Sequence, residues 1–197
     1  MIATIAKKYT PEDLLAMPDD GKSYELVNGE LVEKQMGWNS SRIGGRVYHL
    51  LESFLEANPI GRAAPADASY QCFPDDPTKV RRPDASVVRF DRLPAERGEP
   101  EGHCRVAPNL AAEVVSPNDL YSEVEEKVDE YLRANVELVW VIDPPTRSVR
   151  IHRADGTVSD VGPDGELSGE DVLPGFRCLV AALFPAPAPQ SPVNGQA

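Results

Sequence analysis

The chain has 197 residues, of which 41% are hydrophobic and 26% charged, and its formal net charge is -12 at pH 7. This length supports one buried core, and no apolar stretch approaches the roughly 20 residues that a membrane span needs. The three cysteines and three histidines are scattered, without the paired spacing of a disulfide framework or a zinc site. The acidic charge argues against a broad nucleic-acid-binding surface, because such surfaces neutralise phosphates with lysine and arginine.

The two ends of the chain differ in composition from its middle. At the start, the basic residues Lys7 and Lys8 follow the short apolar part, which is the reverse of a secretory signal, so we expect a cytoplasmic protein. We predict a flexible N-terminus over residues 1–9 and a single domain over residues 10–184. Residues 185–197 are rich in proline and alanine and cannot bury enough surface to order, so we predict a disordered tail.

The first part of the chain predicts a short helix followed by a hairpin. Thr10-Pro11 is typical of a helix start and predicts a helix to about Met17. Two alternating runs, 24–27 and 30–33, flank Asn28-Gly29, which is the strongest signal for a two-residue hairpin turn.

A long amphipathic helix is predicted next. Apolar residues recur at helical spacing from about Ser40 to Ala57. Arg42 and Arg46 lie one turn apart on one side of this helix. They either face a phosphate backbone or belong to an ordinary solvated surface, and the second interpretation is the more common case.

The rest of the chain predicts a mixed sheet. Strands are expected at 69–73, 80–90 and 110–116, a helix from about 117 to 134, and a strand buried on both faces at 138–142. The order strand, helix, strand is typical of a parallel crossover. A second hairpin at 148–161 and a packing element at 172–184 complete the domain. We therefore predict an α/β (mixed α+β) fold, with a mixed sheet flanked by helices and with additional N-terminal and C-terminal hairpins.

Two carboxylates stand in apolar, strand-like sequence. Asp84 follows Pro83 and precedes an apolar run, and Glu113 lies inside Leu110–Val115. A buried carboxylate costs free energy unless a cation or hydrogen-bond donors accept it. If the two strands are neighbours, the two carboxylates can share a cation, and hard oxygen ligands suit Mg²⁺ or Mn²⁺.

Lys127 lies at the edge of the buried face of the predicted helix 117–134. At about 100° per residue it is roughly 20° from Leu120 and about 40° from Tyr131. An isolated lysine in such a place usually covers apolar surface with its stem and keeps its amine in water. The alternative is that its amine points at Asp84 and Glu113. A third interpretation makes Glu113 a buried acid that is simply paired with Lys127 or an arginine.

An ordered set of short motifs resembles a known family. The motifs are Tyr24–Leu31, Arg82-Pro83-Asp84, Leu110-x-x-Glu113-Val114-Val115-Ser116-Pro117, Lys127-x-x-x-Tyr131-Leu132, Val139–Pro144 and Leu173-Pro174-Gly175-Phe176. Together they are similar to the Uma-type family of putative restriction-endonuclease-like proteins, which belongs to the PD-(D/E)XK nuclease superfamily. The resemblance covers about residues 9 to 184.

The resemblance implies a restriction-endonuclease-like core and metal-dependent hydrolysis of phosphodiester bonds. It implies nucleic acid as the partner, with DNA as the expected substrate, Mg²⁺ or Mn²⁺ as the cofactor, and a homodimer. By the matching positions, Asp84 and Glu113 are metal ligands and Lys127 is the catalytic lysine. Glu25 resembles an acidic position of the family that completes the site.

One departure from the superfamily pattern matters for activity. Val115 stands two residues after Glu113, where the superfamily has a lysine on the same strand, so Lys127 must act from the helix. Arg81 and Arg82, together with Arg42 and Arg46, are expected to hold the phosphate backbone without reading sequence. The alternative function is a catalytically inactive binding or accessory module that retains the nuclease fold, and the acidic net charge favours it.

Overall fold

The computed structural model of the protein describes residues 7–35 and 37–185. The α-helices in these residues are α1 (Pro11–Leu15), α2 (Trp38–Ala57) and α3 (Tyr121–Arg133). The strands are β1 (Tyr24–Val27), β2 (Glu30–Glu33), β3 (Gly61–Pro65), β4 (Ala85–Arg89), β5 (Leu110–Val114), β6 (Leu138–Asp143), β7 (Ser148–Arg153), β8 (Val158–Val161), β9 (Glu166–Ser168) and β10 (Arg177–Leu179). The predicted flexible start and disordered tail fall mostly outside the described residues.

A six-stranded sheet organises the fold. Its strand order is β3-β4-β5-β6-β7-β8, and two separate hairpins, β1-β2 and β9-β10, flank it. Neighbouring strands are antiparallel except β5 and β6, which are parallel. A parallel pair needs a crossover connection, and α3 supplies it. The predicted fold class, the N-terminal hairpin and the strand-helix-strand unit are thus confirmed.

The alternation of side chains along β5 assigns each residue to one face of the sheet. Leu110, Ala112 and Val114 join the larger apolar core, to which α2 and the C-terminal elements also contribute. Ala111 joins a smaller core with residues of α3. Glu113 therefore lies on the α3 side of the sheet.

Several predicted boundaries were wrong. The predicted strand 69–73 is reduced to isolated bridges from Tyr70 to Arg81 and Cys104. The strand expected at 80–90 begins only at Ala85, because Pro83 has no N–H for a sheet ladder. Strand β3 was not predicted. The third helix begins at Tyr121 rather than near Pro117, and the Glu123 carboxylate accepts a 3.4 Å hydrogen bond from the Leu120 N–H.

No helix among residues 7–35 and 37–185 combines the length and the hydropathy required to cross a bilayer.

Candidate functional site

The β4–β5 pairing brings the two predicted metal ligands together. Ala85 pairs with Ala112 in the antiparallel register, so one further step along each strand places Asp84 opposite Glu113. The Asp84 N–H donates to the Ala112 carbonyl at 2.9 Å, and the Val114 N–H donates to Asp84 Oδ2 at 2.7 Å. Both carboxylates are buried, with 3% and 7% exposure. The two strands are therefore neighbours, as the shared-cation hypothesis requires.

A lysine that sequence reasoning missed lies between these carboxylates. Lys34 directly follows β2, and its Nζ is 2.7 Å from Asp84 Oδ1 and 3.7 Å from Glu113 Oε2. The same amine donates to the Arg82 carbonyl. One ammonium thus lies within 4 Å of both acids.

Lys127 and Glu25 complete this group from the other side. Lys127 Nζ is 3.9 Å from Glu113 Oε2 and 3.2 Å from Glu25 Oε2. Its side chain is 20% exposed, whereas that of Glu25 is almost fully buried. Tyr131, one turn after Lys127 on α3, donates its hydroxyl to Glu113 Oε1 at 2.8 Å. The structure therefore brings together the four residues predicted as catalytic, and α3 directs Lys127 toward the carboxylates.

Further ion pairs connect Glu25 to Arg81, Glu130 and Lys79. Arg81 Nη1 is 2.8 Å from Glu25 Oε2, and Arg81 Nε is 2.7 Å from Glu130 Oε2. Lys79 pairs with the other oxygen of Glu130. We call the whole series the charge chain, and its members alternate in sign in the order Asp84, Lys34, Glu113, Lys127, Glu25, Arg81, Glu130, Lys79.

The neighbours in the charge chain determine how its groups ionise. Burial raises the pKa of Glu25, but Lys127 and Arg81 outweigh it and lower that pKa to about 2. Burial raises the pKa of Glu113, and the nearby Lys127 and Lys34 do not fully offset it. Burial lowers the pKa of Lys127, yet Glu113 and Glu25 leave it above its ordinary value. At neutral pH and without an added cation, Lys127 is therefore an ammonium, and Glu113 is more easily protonated than an ordinary glutamate.

An open cleft of about 250 Å³ gives access to one end of the charge chain. Its wall includes Lys34, Asp84, Glu113, Lys127 and Glu25. Further acids also line it, namely Glu33, Asp119, Glu123 and Glu126. A ligand can thus reach both carboxylates and both lysines, but it passes acidic side chains to do so.

Three of the four arginines predicted to hold a phosphate backbone lie outside this cleft. Arg81 is 5% exposed and is engaged by two carboxylates. Arg82 donates its backbone N–H to Glu25 Oε1, and its side chain lines a different depression, beside Asp67. Arg42 and Arg46 are exposed on α2, where Arg46 Nε donates to the Ala182 carbonyl. Among these four arginines, Arg81 alone reaches the cleft wall, from beneath.

The residues present fit a divalent ion held by two carboxylates. In the described part of the chain, no group of three His, Cys, Asp or Glu side chains is arranged to hold a metal. Mg²⁺ does not require such a cage, because it keeps several waters and is often bound by one or two carboxylates plus substrate phosphates. The buried Asp84 Oδ1 accepts no hydrogen bond of normal geometry from the described residues, although Lys34 Nζ is 2.7 Å away. The ion pair with Lys34 is thus the contact that a divalent ion at this oxygen would replace.

Comparison with known proteins identifies the family. The family model Uma2, described as putative restriction endonuclease, matches residues 11–182. The chain belongs to the Uma2 family. The predicted family is thereby confirmed for most of the chain.

A solved structure has the same fold as this Uma2-family chain. It is described as a putative nuclease belonging to DUF820, from Anabaena variabilis ATCC 29413, and is 22% identical. The TM-score is 0.76, and the match covers 89% of this chain and 97% of that chain. At this identity the likeness extends to the fold. No curated protein matches the chain.

Proposed function

We propose that this Uma2-family chain is a metal-dependent endonuclease that hydrolyses phosphodiester bonds of nucleic acid, with DNA as its substrate and Mg²⁺ or Mn²⁺ as its cofactor. The observation that carries the proposal is the position of Lys34 Nζ, 2.7 Å from Asp84 and 3.7 Å from Glu113. Two carboxylates that converge beside an open cleft supply the oxygen ligands that Mg²⁺ uses together with waters and substrate phosphates. The family description supports the reaction class.

Each residue of the site has a distinct role in this proposal. Asp84 and Glu113 would hold the ion, which supplies Lewis-acid polarisation of a phosphoryl oxygen when bound. Lys127 donates hydrogen bonds as an ammonium, orienting the attacking water and stabilising negative charge that develops on the phosphate. Glu25 holds Lys127 in place from behind, and the Tyr131 hydroxyl fixes Glu113. Arg81 positions Glu25 instead of binding phosphate.

Cleavage assays on short synthetic nucleic acids test the proposal. The substrates are single- and double-stranded DNA and RNA, each with Mg²⁺ or Mn²⁺. We expect Asp84→Asn, Glu113→Gln and Lys127→Met each to reduce cleavage by at least about 100-fold, roughly 2.7 kcal/mol of barrier. Asp75→Asn is the matched control, since Asp75 is an exposed carboxylate paired with Arg133 on the surface. Cleavage that persists undiminished in all three site variants would contradict these roles.

A second candidate function is a binding or accessory module that retains the fold without catalysis. The acids that line the cleft favour it, because Glu33, Asp119, Glu123 and Glu126 repel phosphates. If the protein is such a module, wild-type protein cleaves none of the four substrates with either ion. Cleavage that Asp84→Asn abolishes would exclude it.

The homodimer and the cytoplasmic location stay predictions. Analytical ultracentrifugation of the purified chain measures the first, and fractionation of cells that express it measures the second.

A further inference from the structure

The charge chain is electrically balanced without any metal. Its acids are Asp84, Glu113, Glu25 and Glu130, and its bases are Lys34, Lys127, Arg81 and Lys79, so four negative charges meet four positive ones. A divalent ion adds two positive charges to this buried set. Uncompensated buried charge is expensive. Ion binding therefore favours the departure of a protein cation.

Lys34 is the cation whose place the ion needs. It contacts both Asp84 and Glu113, whereas Lys127 is paired with Glu113 and Glu25. Arg81 is held by two carboxylates on the far side of Glu25. The Lys34 ammonium and a divalent ion cannot occupy the same position between the two acids.

The Lys34 side chain is 9% exposed and borders the open cleft. Strand β2, which ends just before it, is largely exposed, whereas β1 is anchored by paired hydrogen bonds between Leu26 and Val80. The Lys34 backbone N–H donates to the Ser23 carbonyl at 2.8 Å, so the side chain can rotate without loss of that contact. Its side chain lines the open cleft, which offers space for the displaced amine.

We propose that Lys34 is a tethered counter-cation, which neutralises Asp84 and Glu113 in the ion-free protein and withdraws into the cleft when a divalent ion binds between them. This inference rests on the proposed function for the presence of the ion. Withdrawal brings a positive charge toward the acids Glu33, Asp119, Glu123 and Glu126 of the cleft wall, where it can meet a substrate phosphate. Ion loading and phosphate binding are then linked through one side chain.

Calorimetric titration with Mn²⁺ tests the inference without any activity measurement. Lys34→Met removes the competing charge and keeps most of the side-chain volume, and we expect it to bind Mn²⁺ at least about 10-fold more tightly than wild type. Mn²⁺ should also raise the melting temperature of Lys34→Met more than that of wild type. Lys22→Met is the matched control, since Lys22 lies just before β1, is about half exposed and pairs with Glu33; it should bind as wild type does.

The outcomes separate this inference from the proposed function. Mn²⁺ binding to wild type with equal or weaker binding to Lys34→Met overturns the role of Lys34 and leaves the metal dependence intact. No Mn²⁺ uptake by either protein overturns both. If Lys34→Met does not fold, Lys34→Gln replaces it in the same comparison.

A measurement on unmodified protein gives an independent check. Acetylation of lysine amines by an active ester, read by mass spectrometry, reports the accessibility of each amine. Saturating Mn²⁺ should increase the labelling rate at Lys34 several-fold and leave Lys22 unchanged. An unchanged rate at Lys34, in protein that binds Mn²⁺, would overturn the withdrawal.

Discussion

The two faces of the central sheet are stabilised in different ways, although the same strands form both. Toward α2, Leu110, Ala112 and Val114 of β5 pack into a continuous apolar core. Toward α3, the same strand contributes Ala111 to a smaller apolar core and presents Glu113 to the charge chain. Apolar burial is favourable in itself, whereas a buried ion pair repays its desolvation only while every partner is present. The apolar face toward α2 thus stabilises the fold, whereas the charged face toward α3 carries the charged side chains of the candidate site.

The largest effect should follow a cavity in the apolar face. Trp140 of β6 is fully buried and lies 5.8 Å from the Phe176 ring, centroid to centroid. We expect Trp140→Ala to lower the free energy of unfolding by about 3–5 kcal/mol, measured by urea denaturation. Trp140→Phe should cost less, since the indole N–H has no partner among the described residues. Equal losses of unfolding free energy in Trp140→Ala and Trp140→Phe would show that the cavity does not cause the destabilisation.

Removal of Arg81 tests whether the charged face depends on complete pairing. Arg81→Met leaves Glu25 and Glu130 without their shared guanidinium, and we expect a loss of roughly 3 kcal/mol in unfolding free energy. The exposed pair of Arg133 with Asp75 is the control, and Arg133→Met should change stability by less than about 1 kcal/mol. Similar losses in both variants would show that burial does not matter to these pairs.

A smaller effect should follow loss of the hydrogen bond from Tyr131. The phenol donates to the buried Glu113 at 2.8 Å, and Tyr131→Phe removes that donor while it keeps the ring. We expect a loss of about 1.5 kcal/mol in unfolding free energy. A loss below the error of urea denaturation would indicate that Glu113 finds another donor.

Protonation of Glu130 in acid should remove a modest part of the stability of the charged face. Burial raises the pKa of Glu130, but its bonds to Arg81 and Lys79 leave the folded pKa below the ordinary 4.5. Glu130 thus contributes stability that is present above that value and is lost as pH falls through the lower, folded pKa. Glu130→Gln should make the loss of stability below pH 4.5 shallower than in wild type. Arg81→Met, which removes the first of the two cations, should do the same.

Much of the fold was predictable because its central elements have regular hydrophobic patterns. Helix α2 and strand β6 were predicted almost to their ends, since each repeats apolar residues at its own period. Strand β3 was missed because Gly-Arg-Ala-Ala-Pro has none of the β-branched or aromatic residues typical of strands. Its position depends on β4 instead, and a Cβ at Gly61 would come 2.7 Å from the Val88 carbonyl oxygen.

Site residues were predictable only where a charged side chain stands among apolar neighbours in the sequence. Asp84 and Glu113 interrupt apolar sequence, which marks them. Lys34 follows an alternating, charged hairpin strand and meets Asp84 50 residues away, so local sequence gives no sign of its burial. Glu130 belongs to an acid-rich helix, and nothing in that composition indicates that it is only 3% exposed. Partners for both residues are created by tertiary packing, which periodicity does not encode.

The order of the charge chain along the sequence has a consequence for biosynthesis. Glu25 and Lys34 leave the ribosome early, but their partners lie at Arg81, Asp84, Glu113 and Lys127. Domains generally fold as units while the chain is made, and distant contacts wait for the later segment. The N-terminal hairpin can pair with Val80 before α3 emerges, but the charge chain stays incomplete until then, so a nascent chain that stalls before Lys127 carries no assembled centre.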